Sequence, residues 1–423
     1  MGKRVAYITL GCKLNFAETS TYAREFERLG YVTVSSSSAA DIYVINTCSV
    51  TEHADKKCRN IIRKLHKLSP DAIVAVTGCY AQLKPQEILD IEGVDIVLGA
   101  QFKPELVSRV RALEEQRRKE AFTCPVNGIE SIFPAYSSGE RTRSFLKVQD
   151  GCDYYCSYCT VPLARGRSRN IPISTLVAQA QEAASKGIRE IVLTGVNTGD
   201  FGKSTGESFL DLLKALNEVK GIERYRISSI EPNLLTEQIV DWIASGTRFL
   251  PHFHIPVQSG CDKTLKEMHR RYTTEMFADK ISMIRSRMET PDERFTRVFF
   301  GIDVIVGFPG ESDEDFEQTF NFLERLRPAY LHIFPYSRRS GTLAAQRPDQ
   351  VQESVKSRRE ARLQELSDRL HEEFCNANKG RTAKVLFESK EKGGLMSGYT
   401  GNYIKVSRKY DPEMIGRIVE VTI

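Results

Sequence analysis

The 423-residue chain has no run of ~18 apolar residues, so nothing in it reads as a membrane span. Its first residues, Met1-Gly-Lys-Arg-Val-Ala-Tyr-Ile, lack the apolar core and cleavage site of a secretory signal, which points to a cytoplasmic protein. A strong charge imbalance is also missing. The net charge of +5 is compatible with a polyanionic partner but does not argue for one. Nor is the chain short enough for a disulfide scaffold. Ten cysteines at this length, in a cytoplasmic setting, argue for metal or redox chemistry. An apolar content of 41% suits a protein with sizeable cores, and the length suggests two or three domains.

One further absence is informative. Cys152-Asp-Tyr-Tyr-Cys156-Ser-Tyr-Cys159 places three cysteines at C-x3-C-x2-C, and no fourth cysteine lies nearby. Such a loop points three thiolates at one centre, and soft thiolates select iron–sulfur clusters or zinc. A closed structural zinc site usually takes four ligands, so zinc here would need a distant fourth one. Three ligands on a four-iron cube instead leave one iron open.

The N-terminal segment, 1–120, alternates strand-like runs (4–10, 41–46, 72–77, 94–98) with helix-like stretches (15–29, 53–68). This βαβ punctuation implies a parallel sheet wrapped by helices. Cys12, Cys48 and Cys79 each follow one of the first three strands by two residues. Ligand sites in open parallel sheets form beyond the carboxyl ends of the strands, so three distant cysteines converge on one edge. The plain alternative is coincidence, since buried cysteine is a common core residue. Cys58, Cys124 and Cys261 read as structural or incidental.

A charged helix pattern over 103–120 leads into turn formers and lost periodicity, which mark a linker at 121–142. Arg141 and Arg143 sit at its end, where a solvated role outweighs nucleic-acid contact. The central segment, 143–378, carries six strand-like runs near 144–149, 189–194, 224–229, 252–257, 297–306 and 329–334. Helical patterns follow them at 174–186, 208–219, 236–244, 262–287, 312–326 and 350–376. Six βα units without a seventh and eighth imply an open, partial barrel whose working residues gather at the carboxyl ends of the strands. His252, His254 and His332 fall within strands and read as satisfied core histidines. The tail, 379–423, reads as short β runs between glycine turns, a small barrel. It holds nine Lys or Arg against five Asp or Glu. Arg381, Lys384, Lys405, Arg408 and Lys409, interleaved with Tyr399 and Tyr403, suit RNA: charge for phosphates, rings for unpaired bases.

Lys147-Val-Gln-Asp-Gly-Cys152, the three-cysteine run and Thr160-Val-Pro-Leu-Ala-Arg-Gly-Arg167 resemble the methylthiotransferase branch of the radical S-adenosylmethionine (SAM) superfamily. So do Gly11-Cys-Lys-Leu-Asn15 with Glu18, Asn46-Thr-Cys48 and Thr77-Gly-Cys-Tyr-Ala-Gln82. The resemblance implies an α/β protein with an N-terminal parallel-sheet domain, an open (βα)6 barrel and a TRAM-like RNA-binding barrel. It implies two [4Fe-4S] clusters, an auxiliary one on Cys12, Cys48 and Cys79 and a SAM-cleaving one on Cys152, Cys156 and Cys159. Tyr158, Gly195, Asn197, Ser229, Glu231, Gln258, Ser259, Arg270, Asp303 and Phe334 match segments that line the family's SAM pocket.

The implied activity is sulfur insertion at an unactivated C–H with methyl transfer from SAM, served by a low-potential electron donor and a sulfur donor. Lys13 and Cys159-Thr-Val-Pro-Leu-Ala resemble the branch acting on N6-threonylcarbamoyladenosine at position 37, in the anticodon loop of tRNA. Rival readings are the branches acting on N6-isopentenyladenosine or a ribosomal protein, and a non-catalytic iron–sulfur RNA-binding protein. The reading implies that both open irons face one cavity, roofed by the basic tail.

Overall fold

The computed structural model describes residues 2–49, 52–139, 142–293 and 295–423; Arg141 lies outside the described residues. The chain begins with β1 (Arg4–Thr9), α1 (Lys13–Arg28), β2 (Val32–Val34), β3 (Ile42–Thr47), α2 (Glu52–Leu68) and β4 (Ile73–Gly78). It continues through α3 (Cys79–Leu83), α4 (Pro85–Leu89), β5 (Ile96–Leu98), α5 (Leu106–Glu115) and β6 (Glu120–Phe122). These strands form one parallel sheet in the order β2-β1-β3-β4-β5-β6. β3 and β4 are buried along their whole length, as central parallel strands covered on both faces must be. Tyr22, Phe26, Leu106 and Val110 cover one face; Ile62, Leu65 and Ile88 cover the other, where Cys58 is fully buried as a core residue.

The edge strands β2 and β6 escape a periodicity reading because each has only three residues. β6 carries the sheet into the expected linker, and much of the rest of that segment is packed rather than solvated. Ile129, Phe133, Ala135 and Tyr136 are buried, and the chain runs along the next strand through Lys147 N–H to Ala135 O and Ser137 N–H to Phe145 O.

The central region contains β7 (Arg143–Lys147), β8 (Gln149–Asp150), α6 (Val161–Arg165), β9 (Arg169–Asn170), α7 (Ile173–Ser185), β10 (Glu190–Thr194), α8 (Phe209–Asn217), β11 (Arg224–Ile227) and α9 (Glu237–Ala244). It continues with β12 (His252–His254), α10 (Asp262–Glu267), α11 (Thr274–Met288), β13 (Phe299–Val306), α12 (Asp313–Leu326), β14 (Tyr330–Pro335), α13 (Leu343–Gln346) and α14 (Glu353–Asn376). β7-β10-β11 and β12-β13-β14 are parallel ladders, joined where Ile230 N–H meets His254 O. Among the described residues β14 does not pair with β7, so the six βα units form an open barrel as expected. One long core fills the space between strands and outer helices. The expected helix 262–287 is instead two, broken where His269 adopts φ 58° and Thr273 caps α11.

The tail, β15 (Thr382–Lys392), β16 (Leu395–Thr400), β17 (Lys405–Lys409) and β18 (Ile418–Thr422), is a curled antiparallel half-barrel in the order β17-β16-β15-β18. It docks on the amino ends of the barrel strands. Arg224 donates to Tyr399 O and Lys384 O, Arg226 to Thr400 O and Gly401 O, and Arg143 pairs with Glu388 at 2.7 Å. The cysteine loops lie at the opposite, carboxyl ends. The tail is therefore the floor of the barrel and not the expected roof. The barrel's buried Arg224 and Arg226 donate to tail carbonyls, which fixes that side. No helix among the described residues is long and apolar enough to cross a membrane.

Candidate active site

The three-cysteine loop leaves β8 through Gly151, whose φ of 74° and whose neighbour Arg167 O, 1.9 Å from any added Cβ, admit only glycine. Gln149 clamps the loop. Its amide donates to Gly151 O and Ser168 Oγ, and its Oε1 accepts from Val196 N–H and Asn197 N–H beyond β10. Ser157 N–H bonds Met268 O, and Cys159 N–H bonds Cys156 O. Burial pushes the Cys152 and Cys159 thiols up to about 12. Such thiols keep their protons until a cation replaces them, which suits a metal-ligand set. The helix break before α11 brings Arg270 to this loop, where Nη1 meets Cys156 Sγ at 3.0 Å while Nη2 pairs with Glu231.

Cys12, Cys48 and Cys79 follow β1, β3 and β4 and meet at one edge of the N-terminal sheet. Gly11, with φ 99°, is packed so close to Cys48 that an added Cβ would lie 2.8 Å from its Sγ. Asn15 links the set: Nδ2 donates to Leu10 O and Thr47 O, and Oδ1 lies 3.9 Å from Cys12 Sγ and accepts from Arg165 at 2.6 Å. Arg165 Nε also donates to Cys79 Sγ at 3.3 Å. Arg165 closes α6, directly after the other cysteine loop, and α6 packs against α3, which begins at Cys79. The two thiol triads are thus neighbours across one helix contact. Beneath them Glu18, Lys103, Lys147, Asp150 and Arg165 form a buried charge network: Lys103–Glu18 2.7 Å, Lys147–Glu18 2.7 Å, Lys147–Asp150 2.7 Å and Arg165–Asp150 2.8 Å.

Each triad offers three thiols, no fourth cysteine and one cationic donor aimed at a sulfur. That donor set fits a [4Fe-4S] cluster with one open iron and does not fit a closed zinc site. Beside the Cys152 loop, Asn197 Nδ2 and Ser228 Oγ are buried with no hydrogen-bond partner among the described residues, as expected where a polar ligand completes the site. Among the other candidates, Glu231 N–H bonds Asn197 Oδ1, Gly195 abuts Gln149, and Ser229 O accepts from Thr198. Gln258 stands at φ 67° with its N–H on Asp303 O. Tyr158 packs among Met268, Ile305, Phe308 and Tyr336 beside the loop, and Phe334 leaves half its surface open.

Ser259 does not join them: fully buried, its hydroxyl meets Thr319 of α12 at 3.1 Å. Asp303 sits in the middle of β13 rather than at its end, and pairs with His254 at 2.6 Å. His254, Asp303 and His332 bring one polar atom each within 4.8 Å of one another. His252 Nδ1 is buried without a partner among the described residues, whereas His254 is satisfied by Asp303, so the expectation of satisfied histidines holds for His254 and not for His252. The histidines lie along the inner wall of the barrel, where the strand alternation directs them.

In the tail, Lys384, Lys405 and Lys409 are exposed, Arg381 bonds Thr296, and Arg408 lies over Phe387. Tyr399 and Tyr403 stack on each other at 4.8 Å and against Arg143 and His252, so their rings take part in the docking surface. Sequence reasoning missed the roles of Arg165, Gln149, Lys147 and Asp150. The available signal was three polar residues, Lys147, Gln149 and Asp150, directly before the cysteine loop.

Residues 4–99 match the model of an uncharacterized protein family, UPF0004, and residues 146–323 match the radical SAM superfamily. The chain is 40% identical to the threonylcarbamoyladenosine tRNA methylthiotransferase MtaB of Bacillus subtilis, over 99% of this chain and 93% of that protein. It is 36% identical to the MtaB of Aquifex aeolicus over 99% and 100%. It is 32% identical to the tRNA-2-methylthio-N(6)-dimethylallyladenosine synthase of Carboxydothermus hydrogenoformans over 98% and 95%. Its fold resembles the radical SAM methyltransferase TsrM from Kitasatospora setae, solved with cobalamin and a [4Fe-4S] cluster, with TM-score 0.58, 16% identity and coverage of 82% and 77%. Two converging thiol triads on this fold, together with full-length relatives of this kind, place the chain in the tRNA methylthiotransferase family of the radical SAM superfamily.

Proposed function

We propose that this enzyme converts N6-threonylcarbamoyladenosine at position 37, in the anticodon loop of tRNA, to its 2-methylthio derivative. The observation that carries the reading is the contact of α3 with α6, which sets two open three-thiol sites side by side. A structural staple or a carrier needs only one such site. Sulfur insertion at a neutral aromatic C–H needs a radical source and a sulfur source within reach of one atom. The MtaB relatives, at 36% and 40% identity over nearly the whole chain, support the choice of nucleoside. When bound, the two clusters and SAM supply the radical, the sulfur and the methyl group.

The chain's own residues hold and orient. Cys152, Cys156 and Cys159 are fixed by Gln149, and Cys12, Cys48 and Cys79 by Asn15. Arg270 and Arg165 each donate to a ligand sulfur, Cys156 Sγ and Cys79 Sγ, and so help to orient it. Asn197, Ser228, Ser229, Glu231 and Gln258 are assigned to the amino-acid and ribose groups of SAM, and Tyr158 and Phe334 to its adenine. The buried network around Arg165 holds that side chain in place between the two loops. Lys384, Lys405 and Lys409 are assigned to RNA phosphates, an attraction that weakens with salt. The reaction also requires a low-potential electron donor and a source of sulfur.

Nucleoside analysis of tRNA from a strain lacking the protein tests this reading. Loss of 2-methylthio-N6-threonylcarbamoyladenosine, with its precursor accumulating, is the expected result. Unchanged levels, or loss of the methylthio derivative of isopentenyladenosine instead, would overturn it.

A further inference from the structure

Lys13 follows Cys12 directly and opens α1. The ionisable groups that act on it are Tyr403 of the floor, Arg143 of β7, Asp303 of β13 and Arg226 of β11, and it acts in turn on His252 of β12 and His332 of β14. A point within electrostatic reach of five strands and the floor lies inside the barrel. The side chain is nonetheless solvent-accessible, so it occupies a cavity rather than the core.

Charges around this cavity are otherwise matched. Arg226 bonds Glu190 at 2.8 Å, Arg143 bonds Glu388 at 2.7 Å, and Asp303 bonds His254 at 2.6 Å. Lys13 alone among these has no hydrogen bond or ion pair among the described residues. An accessible, unpaired ammonium facing the barrel interior selects an anion.

We propose that Lys13 is the specificity-determining residue of the site, its ammonium pairing with the carboxylate of the substrate's threonylcarbamoyl group while His254 and His332 hydrogen-bond the polar chain. This rests on the nucleoside assignment above. The chemistry favours the arrangement. The N6 substituent and C2 flank the same N1 edge of the purine, so an anchor one residue from Cys12 holds the substituent and presents C2 to the auxiliary triad. An apolar dimethylallyl group, the substituent named for the Carboxydothermus relative, offers nothing to such a lysine. A divalent ion at His254, Asp303 and His332 is the competing way to bind a carboxylate. It is disfavoured because the unpaired Lys13 ammonium acts on His332 and Asp303 of that same group.

The test compares wild-type enzyme, Lys13→Met and Lys13→Arg on two substrates: tRNA carrying N6-threonylcarbamoyladenosine, and the same tRNA with that carboxylate converted to the primary amide. Iron per chain is measured for each protein. The wild type is expected to lose at least about 100-fold in kcat/KM on the amide, because a site built for a polar group rejects the analogue lacking it. Lys13→Met is expected to lose about as much on the acid, chiefly in KM, with little further loss on the amide and wild-type iron content. Lys13→Arg recovers part of it. Lys13→Met that keeps wild-type kcat/KM on the acid overturns the proposal. So does a wild type indifferent to amidation, an arm that stands even if the variant fails to assemble its clusters. Wild-type activity abolished by a chelator that spares both clusters would assign the carboxylate to a metal and overturn the lysine. A wild type inactive on the acid but active on dimethylallyl-bearing tRNA would sink the nucleoside assignment, and the lysine's role with it.

Discussion

The two thiol triads reach the same donor set by opposite routes. Cys152, Cys156 and Cys159 lie on one loop, and their geometry is largely a local matter of Gly151, Gln149 and the turn that joins Cys159 to Cys156. Cys12, Cys48 and Cys79 come from three strand ends, and depend on the register β1–β3–β4 and on Asn15 tying α1 to the end of β3. Each has one buried arginine on a sulfur, but the settings differ. Arg270 pairs with Glu231 and donates to Tyr272 Oη, whereas Arg165 belongs to a network of five buried charges. A site made from distant strands needs the domain interface to stay closed, and that network is part of the interface. The comparison suggests that the auxiliary site is the more fragile of the two and the one more exposed to damage elsewhere in the fold.

The strongest break in the comparison comes from the ligands themselves. Cys156→Ala is expected to abolish SAM cleavage and methylthiolation together. Cys48→Ala should abolish methylthiolation while SAM cleavage to 5′-deoxyadenosine persists, with iron falling from about eight to about four per chain in each case. Equal loss of SAM cleavage in both would mean that the triads are not separable.

Glycine substitutions test local against distant assembly. Gly11→Ala drives a Cβ into Cys48, and Gly151→Ala drives one into Arg167 O. The first is expected to remove only the auxiliary irons and the second only the other set, as read by iron content and by absorption of the reduced clusters. Loss of all iron in Gly11→Ala would show that the local loop also depends on the sheet edge.

Arg165→Leu leaves Asp150 and Glu18 undercompensated in the interior. Breaking such a buried set costs about 3–5 kcal/mol, to be measured by urea unfolding of the cluster-free protein. A smaller loss than for Arg270→Leu would reverse the ranking of the two sites.

The smallest expected effect is a pH dependence. Burial raises the Glu18 carboxyl, but Lys103, Lys147 and Arg165 outweigh it and hold it at about 2, below its ordinary 4.5. The unfolded chain takes up this proton first. The stabilisation is therefore complete above about pH 4.5, lost as pH falls through about 2, and worth about 3 kcal/mol. Glu18→Gln should flatten that slope in unfolding midpoints measured across the acid range.

Much of the architecture was legible because its signals are periodic or chemical. Apolar runs such as Ile73-Val-Ala-Val76 cannot be anything but buried, and cysteines at matched offsets from strand ends are hard to place elsewhere. The two edge strands, the packed segment after β6 and the split between α10 and α11 were not legible. Each depends on a neighbour in space: a sheet edge, the flank of β7, a sulfur for Arg270 to reach. The tail shows the same limit. Its β character and basic charge could be read directly, but Tyr399 and Tyr403, which suit bases by type, are held against Arg143 and His252 by docking.

The sequence by itself determined the βα alternation, the two cysteine sets and the family resemblance, since hydrophobic period and thiol spacing act over short stretches of chain. Only the tertiary structure decided that α3 meets α6, that Arg165 joins the triads, that the tail is a floor, and that Lys13 stands unpaired inside the barrel. Those outcomes depend on which buried charges find partners across domains, and pairing of that kind leaves no periodic trace in a single chain.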